Sequence, residues 1–269
     1  MQEKQLDLAS YDGLLLEREG KILHVTLNRP DEMNSLSGDR VMELIRLLQD
    51  LVGDTESRVV VITGAGKAFS AGADIALLQG HLTRRAYYTE IVHEVKGLIH
   101  ALLDCPKPIV AKVNGAAIGL GATIALFSDI IFMADEAVIA DAHINVGLVP
   151  GDGGAVIWPL LVGLPRAKQF LFTGQRIRGK EAERIGLVNA SYPRDQLDEK
   201  VVEFAKELEA APPRILHFTK MALNASLKRE VSALLDASFA YEALSAYSND
   251  HEEAVMAWVE KRSPKFTGD

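Results

Sequence analysis

The chain has 269 residues, 48% of them hydrophobic and 25% charged, the balance of a globular protein with enough apolar side chain for a sizeable core. Its 37 acidic and 29 basic side chains leave a net charge of −8, and no block of Lys and Arg stands out. That argues against a nucleic-acid or anionic-membrane footprint but leaves room for a local basic pocket. A single cysteine, Cys105, rules out an internal disulfide, and no apolar run reaches the ~20 residues that span a bilayer. The opening MQEKQLDLASYDG lacks the apolar stretch of a secretory signal, so a cytoplasmic setting, without membrane or nucleic-acid partners, is expected.

In chain order, LLLEREGKILHVTLNRP (14–30) reads as two strands joined at Glu19-Gly20. Helical periodicity follows at 38–54, with Val41, Leu44, Leu47, Leu48 and Leu51 on one face. RVVVITG (58–64) and PIVAKVNG (108–115) are short apolar strands of the kind covered on both faces. Between them an amphipathic helix is predicted over 83–104. GLGATIALFSD (119–129) reads as a helix entered from a glycine turn, and IIFMAD (130–135) as a further strand. Strand–helix alternation of this kind indicates an α/β core with crossover connections. From residue 153 onward helices are predicted at 153–162, 164–173, 179–186, 196–210, 212–227, 231–249 and 250–262. The expected division is a sheet-bearing core, 1–195, and a C-terminal helical region, 196–269, with Ala211-Pro212-Pro213 as a hinge.

Two glycine-bearing turns invite comparison with cofactor loops, and neither fits. TGAGKAFSAGADI (63–75) has Ala68 where a phosphate-binding loop needs Ser or Thr after the lysine, and NGAAIGLGATIAL (114–126) lacks a third glycine. No cofactor beyond a substrate-borne group is expected. Taken together, however, two turns that open toward helices present unbonded backbone N–H groups, and a pair of such donors suits a developing oxyanion.

The order and spacing of LNRPDEMNSLS (27–37), KAFSAGADI (67–75), KPIVAKVNGAAIGLGATIAL (107–126), GLVPGDGG (147–154), LFTGQRIRGKEAERIGLVN (171–189) and EKRSPKFTG (260–268) resemble the crotonase superfamily of enoyl-CoA hydratases and isomerases. The resemblance covers nearly the whole chain. It implies an α/β spiral of ββα repeats with a C-terminal helical oligomerisation region, a homotrimer or dimer of trimers, and an acyl-CoA substrate whose CoA is not a separate cofactor. It also implies oxyanion donors at Ala71 and Leu120, and substrate contacts along Ala71, Gly72, Ala73, Asp74, Ile75 and Gly119.

Family hydratases carry two glutamates to activate and deliver water; the matching positions here are Thr123 and His143. His143 is then the candidate base, with Asp152 expected to accept its ring N–H and fix the tautomer. The pair is similar to that of crotonase-fold β-diketone hydrolases, which implies a third acid at Glu242; those enzymes' additional histidine is replaced by Leu120. The competing reading is structural: His143 satisfied by a carbonyl and Asp152 capping the helix from Gly153. Water addition to an enoyl-CoA, hydrolysis of a β-dicarbonyl C–C bond, and an inactive CoA-binding homologue all remain open.

Other candidates carry less. His93 and His100 lack a third ligand on their helix, so no metal site is expected. Cys105, beside an apolar strand, reads as a buried inert thiol, and Trp158 as packing. Arg84, Arg85, Lys261, Arg262 and Lys265 are candidates for CoA phosphates, with surface charge as the alternative.

Overall fold

The computed structural model describes residues 6–73, 79–80, 82 and 87–269. Strands β1 (Leu14–Glu19) and β2 (Ile22–Leu27) form the antiparallel hairpin anticipated at Glu19-Gly20. Onto β2 are added, all in parallel, β3 (Val59–Gly64), β5 (Ile109–Val113), β7 (Ile130–Ala134) and β10 (Ala190–Tyr192). The valine, isoleucine and alanine runs of β3 and β5 are almost wholly buried, as expected where helices cover a parallel sheet.

A second sheet is built from β4 (Ala68–Ser70), β6 (Ala116–Ile118), β8 (Val138–Ala140) and β9 (Ile177–Arg178), in that order. None of these short strands is visible in the hydrophobic periodicity. Each of the first three follows a strand of the main sheet by a few residues, so the chain runs main-sheet strand, second-sheet strand, helix, and repeats. Gly115 shows why the corner holds glycine. A Cβ there would stand 2.0 Å from the Lys67 carbonyl oxygen, at the start of the neighbouring corner. Gly72, Gly115 and Gly121 of the two turns that looked like cofactor loops are thus steric necessities of one chain corner stacked on another.

Helix α1 (Asp39–Asp50) buries Val41, Leu44, Ile45, Leu47 and Leu48 and packs against α2 (Tyr87–Asp104). Residues 83–86, the expected start of the second helix, lie outside the described residues. α3 (Leu120–Leu126) is buried throughout, between β4, β5 and β6. α4 (Gly154–Val162), α5 (Leu164–Thr173) and α6 (Gly179–Arg184) follow close to expectation. α7 (Arg194–Ala210) covers the face of β2, β3, β5, β7 and β10. Its Leu197, Val201 and Ala205 join the same continuous core as the sheet, so the apolar core does not divide at residue 195.

The helices expected at 212–227 and 231–249 are one element, α8 (Pro213–Ser245), 33 residues long. Pro213 sits in its first turn, where proline is tolerated, and nothing inside the run breaks a helix. α8 packs against α2 and α4, and α9 (Asn249–Val259) follows with Ser248 as its N-cap, accepting from the His251 N–H at 3.1 Å. No described helix is long and apolar enough to cross a membrane.

Candidate active site

The site is assembled from four places in the chain. The turn after β4 (71–73) and the turn between β6 and α3 (118–120) press together: a Cβ on Gly72 would lie 2.4 Å from the Ile118 carbonyl oxygen and 3.2 Å from the Leu120 nitrogen. Gly72 also has φ +75°, so both the contact and the backbone conformation require glycine. The third place is 140–154, where a 3₁₀ turn over His143–Val146 follows β8 directly. The fourth is α8, which contributes Glu242.

These surround a cavity of about 130 Å³. Its walls are largely apolar, from Leu36, Val41, Val95, Ile118, Leu120, Val146 and Leu148, with Ala71, Ala73 and Gly119 on the turn side. The polar side chains are Ser37, His143, Asp152, Glu242 and Glu94, and the half-exposed Trp258 of α9 lines the same cavity. Asp74 and Ile75, expected along the substrate, lie outside the described residues, as do Arg84 and Arg85.

Two expected roles are changed by the geometry. The Ala71 N–H donates to the Met33 carbonyl at 2.9 Å, so it is committed within the protein and is not an open donor. Asn34 braces this region. Its side chain donates to the Ala65 and Ala68 carbonyls and accepts from the Arg29 N–H, all at 2.9 Å. Among the described residues, the amides of Ala73 and Leu120 carry no backbone hydrogen bond.

Asp152 is likewise not on the tautomer-fixing side of His143. That place is taken by Asp141, whose Oδ1 is 2.7 Å from Nδ1 and also accepts the His143 backbone N–H at 3.2 Å. Asp152 faces the other ring nitrogen, its Oδ2 3.7 Å from Nε2, while its Oδ1 accepts from Thr123 Oγ1 at 3.3 Å and, weakly, from the Gly154 N–H at 3.4 Å. Asp141 belongs to none of the motifs that mark the site in the sequence; it sits between β8 and the His143 turn. Its place two residues before His143 was the available signal, since an aspartate side chain at that spacing can accept the backbone N–H two residues on.

Burial works against charge on His143, but the carboxylates of Asp141, Asp152 and Glu242 outweigh it, and the imidazole is held well above its ordinary value. Burial holds Asp152 above its ordinary value; the charge on His143 opposes that rise without cancelling it, and Asp141 adds to it. One ligand atom from each of Asp141, His143 and Asp152 lies within 4.8 Å of the others. His143 Nδ1 is already engaged by Asp141 Oδ1 at 2.7 Å, so a cation bound through that nitrogen would displace this hydrogen bond.

His251 steadies this wall. It is wholly buried in α9, and its Nδ1 donates to the Val146 carbonyl at 2.6 Å, tying down the turn that carries His143. Elsewhere, Cys105 is buried and its thiol pushed up by burial. Trp158 is wholly buried against Phe170, ring centroids 5.8 Å apart. Arg262 is engaged by Glu253 and Glu260 rather than standing open.

Repeated strand–strand–helix turns whose corners line one cavity define a protein of the crotonase superfamily. A family model described as "Enoyl-CoA hydratase/isomerase" matches residues 17–269, and the chain belongs to that family. A short-chain-enoyl-CoA hydratase of Clostridium acetobutylicum is 34% identical, over 93% of this chain and 96% of its own length. A 1,2-epoxyphenylacetyl-CoA isomerase of Escherichia coli is 31% identical, over 95% and 98%. The crystal structure of an enoyl-CoA hydratase/isomerase from Mycobacterium paratuberculosis superposes with a TM-score of 0.86 at 35% identity, covering 93% of this chain and 99% of that one.

Proposed function

We propose that this protein binds acyl-CoA thioesters and adds water across the double bond of an enoyl-CoA. The observation that carries this reading is the Thr123–Asp152 hydrogen bond. At the position where family hydratases place their first glutamate, threonine holds a carboxylate delivered from a different loop. The second glutamate's position holds His143. A carboxylate and an imidazolium then stand side by side at one cavity, 3.7 Å apart, supplying a base and an acid without either glutamate.

The thioester oxygen is received by the amides of Ala73 and Leu120, residues that line the cavity on the two pressed turns and whose N–H groups carry no backbone hydrogen bond among the described residues. Asp152, raised by burial, takes a proton from water as its oxygen bonds to the β-carbon, and the electron pair of the C=C bond moves onto the carbonyl oxygen as an enolate. The enolate then collapses, taking the Nε2 proton of His143 at the α-carbon. Transfer of the proton from Asp152 to His143 across their 3.7 Å gap restores the resting state. Each oxyanion donor is worth about 10²–10³ in kcat in comparable sites.

A second reading keeps the same groups. The substrate would be a β-dicarbonyl whose carbonyl carbon takes the water oxygen; the C–C bond breaks and the departing carbon takes the His143 proton. Burial of Glu242 at the cavity favours this reading, since a third acid beside the pair is the arrangement implied by the β-diketone hydrolases. A panel of enoyl-CoAs and cyclic β-diketones, followed by loss of enone or enol absorbance, separates the two. Turnover of diketones alone would overturn the hydratase reading, and CoA binding with no turnover would point to an inactive homologue.

Exposed Phe218, Leu223, Tyr241 and Leu244 on α8 and Phe172 on α5 support assembly into a homotrimer or dimer of trimers. A monomer mass by light scattering would contradict it.

A further inference from the structure

We propose that Asp141 is a positioning residue that grips His143 through Nδ1 and makes it the proton donor of the site rather than its base. The reaction part of this inference rests on the hydratase reading; the state of the ring does not.

One oxygen, Asp141 Oδ1, accepts both the ring Nδ1–H and the backbone N–H of residue 143. A single carboxylate oxygen thus fixes the ring relative to its own backbone, and the ring cannot turn without losing the 2.7 Å contact. An acceptor at Nδ1 demands a hydrogen there, so Nε2 is the nitrogen aimed at Asp152. Asp141 is itself only 2% exposed, and a buried carboxylate needs a cationic partner.

The surroundings decide which form of the ring persists. Asp141 reaches it from the end of β8, Asp152 from the loop before α4, and Glu242 from α8, while Glu94 of α2 lines the same cavity. Among the described residues lining the cavity, His143 is the only side chain able to carry positive charge. Burial disfavours the imidazolium, but the carboxylates around it prevail, which agrees with the upward displacement of its titration. The triad pattern in which a carboxylate orients a neutral imidazole base has one acid on the ring; here acids stand on both ring nitrogens, and a protonated ring follows. Asp152 is then left as the group able to accept a proton from water.

The test uses the full-length protein labelled with ¹⁵N-histidine, the His143 signals being identified by their loss in His143→Gln. At an alkaline pH where a free imidazole is neutral, both ring nitrogens of His143 should still be protonated. In Asp141→Asn, which keeps an acceptor oxygen but removes the charge, His143 should titrate about 1–3 pH units lower. The alkaline limb of kcat for an enoyl-CoA should fall with it, while KM stays put. A neutral wild-type ring at that pH, or an Asp141→Asn profile coinciding with wild type, overturns the proposal. The wild-type spectrum decides the ring's state even if the variant fails to fold. An imidazolium in a protein that hydrates no enoyl-CoA would leave Asp141 in its role and remove the hydratase reading; turnover with a neutral ring would do the reverse.

Discussion

Two buried ionic clusters in this molecule teach by their difference. Near the start of β5, Lys220 of α8 binds Asp129 Oδ2 at 2.7 Å and the Lys107 carbonyl at 3.0 Å. Lys107 in turn donates to the carbonyls of Leu51 and Asp54, both at 2.7 Å. Asp129 Oδ2 also accepts the Ile109 N–H at 2.7 Å. Donors there end on carbonyls or on the opposite charge, and none of these groups lines the cavity. At the other cluster, Asp141, His143 and Asp152 are as deeply buried, yet the 3.7 Å His143–Asp152 contact is longer than a hydrogen bond and both residues face the cavity. Saturated burial ties α8 to the sheet. Unsaturated burial beside a cavity leaves charge free to act on a ligand.

The contrast can be broken most sharply by neutralising one carboxylate in each cluster. Asp152→Asn should reduce enoyl-CoA turnover by about 10²–10⁴-fold, the range for a positioned acid–base group, and leave the melting temperature near wild type. A loss below tenfold would remove Asp152 from the chemistry. Lys220→Met should do the opposite. Stranding Asp129 without its partner costs about 3–5 kcal/mol, read by urea titration, with turnover per folded molecule unchanged.

The pH response sharpens the comparison further. The folded state raises His143, so the stability it contributes is full below its unfolded value near 6.5 and is lost as pH rises through the raised folded value. His143→Gln should therefore flatten the alkaline side of the stability–pH curve. Turnover of the wild type should fall at low pH as Asp152 protonates and at high pH as His143 loses its proton. Glu242→Gln should produce a smaller version of that second effect, because Glu242 is the least of the three carboxylate influences on the ring. An alkaline limb unmoved in Glu242→Gln would place the glutamate outside the electrostatics of the site. Last, Glu181→Gln, which removes an exposed pair with Arg184, should change neither melting nor turnover.

Most of the main sheet was legible because β3, β5 and β7 are short, mostly apolar and β-branched runs, and β1 and β2 flank a turn at Glu19-Gly20. The second sheet was not. β4, β6 and β8 have three residues each and β9 two, fewer than any periodicity can register, and they pair only because the chain corners stack. α8 was divided at Lys228-Arg229-Glu230, a charged run that resembles a boundary. Its continuity comes from Val231, Leu235 and Phe239 burying into the same core as the sheet. In the site, His143 and Asp152 were visible through their family positions and Glu242 through resemblance, but each pairwise role depended on distances. Asp141 in place of Asp152 at Nδ1, and Ala71 closed off by Met33, are facts of tertiary approach.

What the sequence by itself determined is the class of architecture, the glycines that the corners demand, and the replacement of two glutamates by Thr123 and His143. These are matters of residue type and order, and local sterics or side-chain chemistry enforce them wherever the chain folds. Only the tertiary structure decided which carboxylate meets which ring nitrogen and that the Ala71 amide is bonded to Met33. Hydrogen bonding and Coulomb interaction fall off within a few ångströms, and groups 9 or 29 residues apart in the chain come within that range only after the sheets have closed.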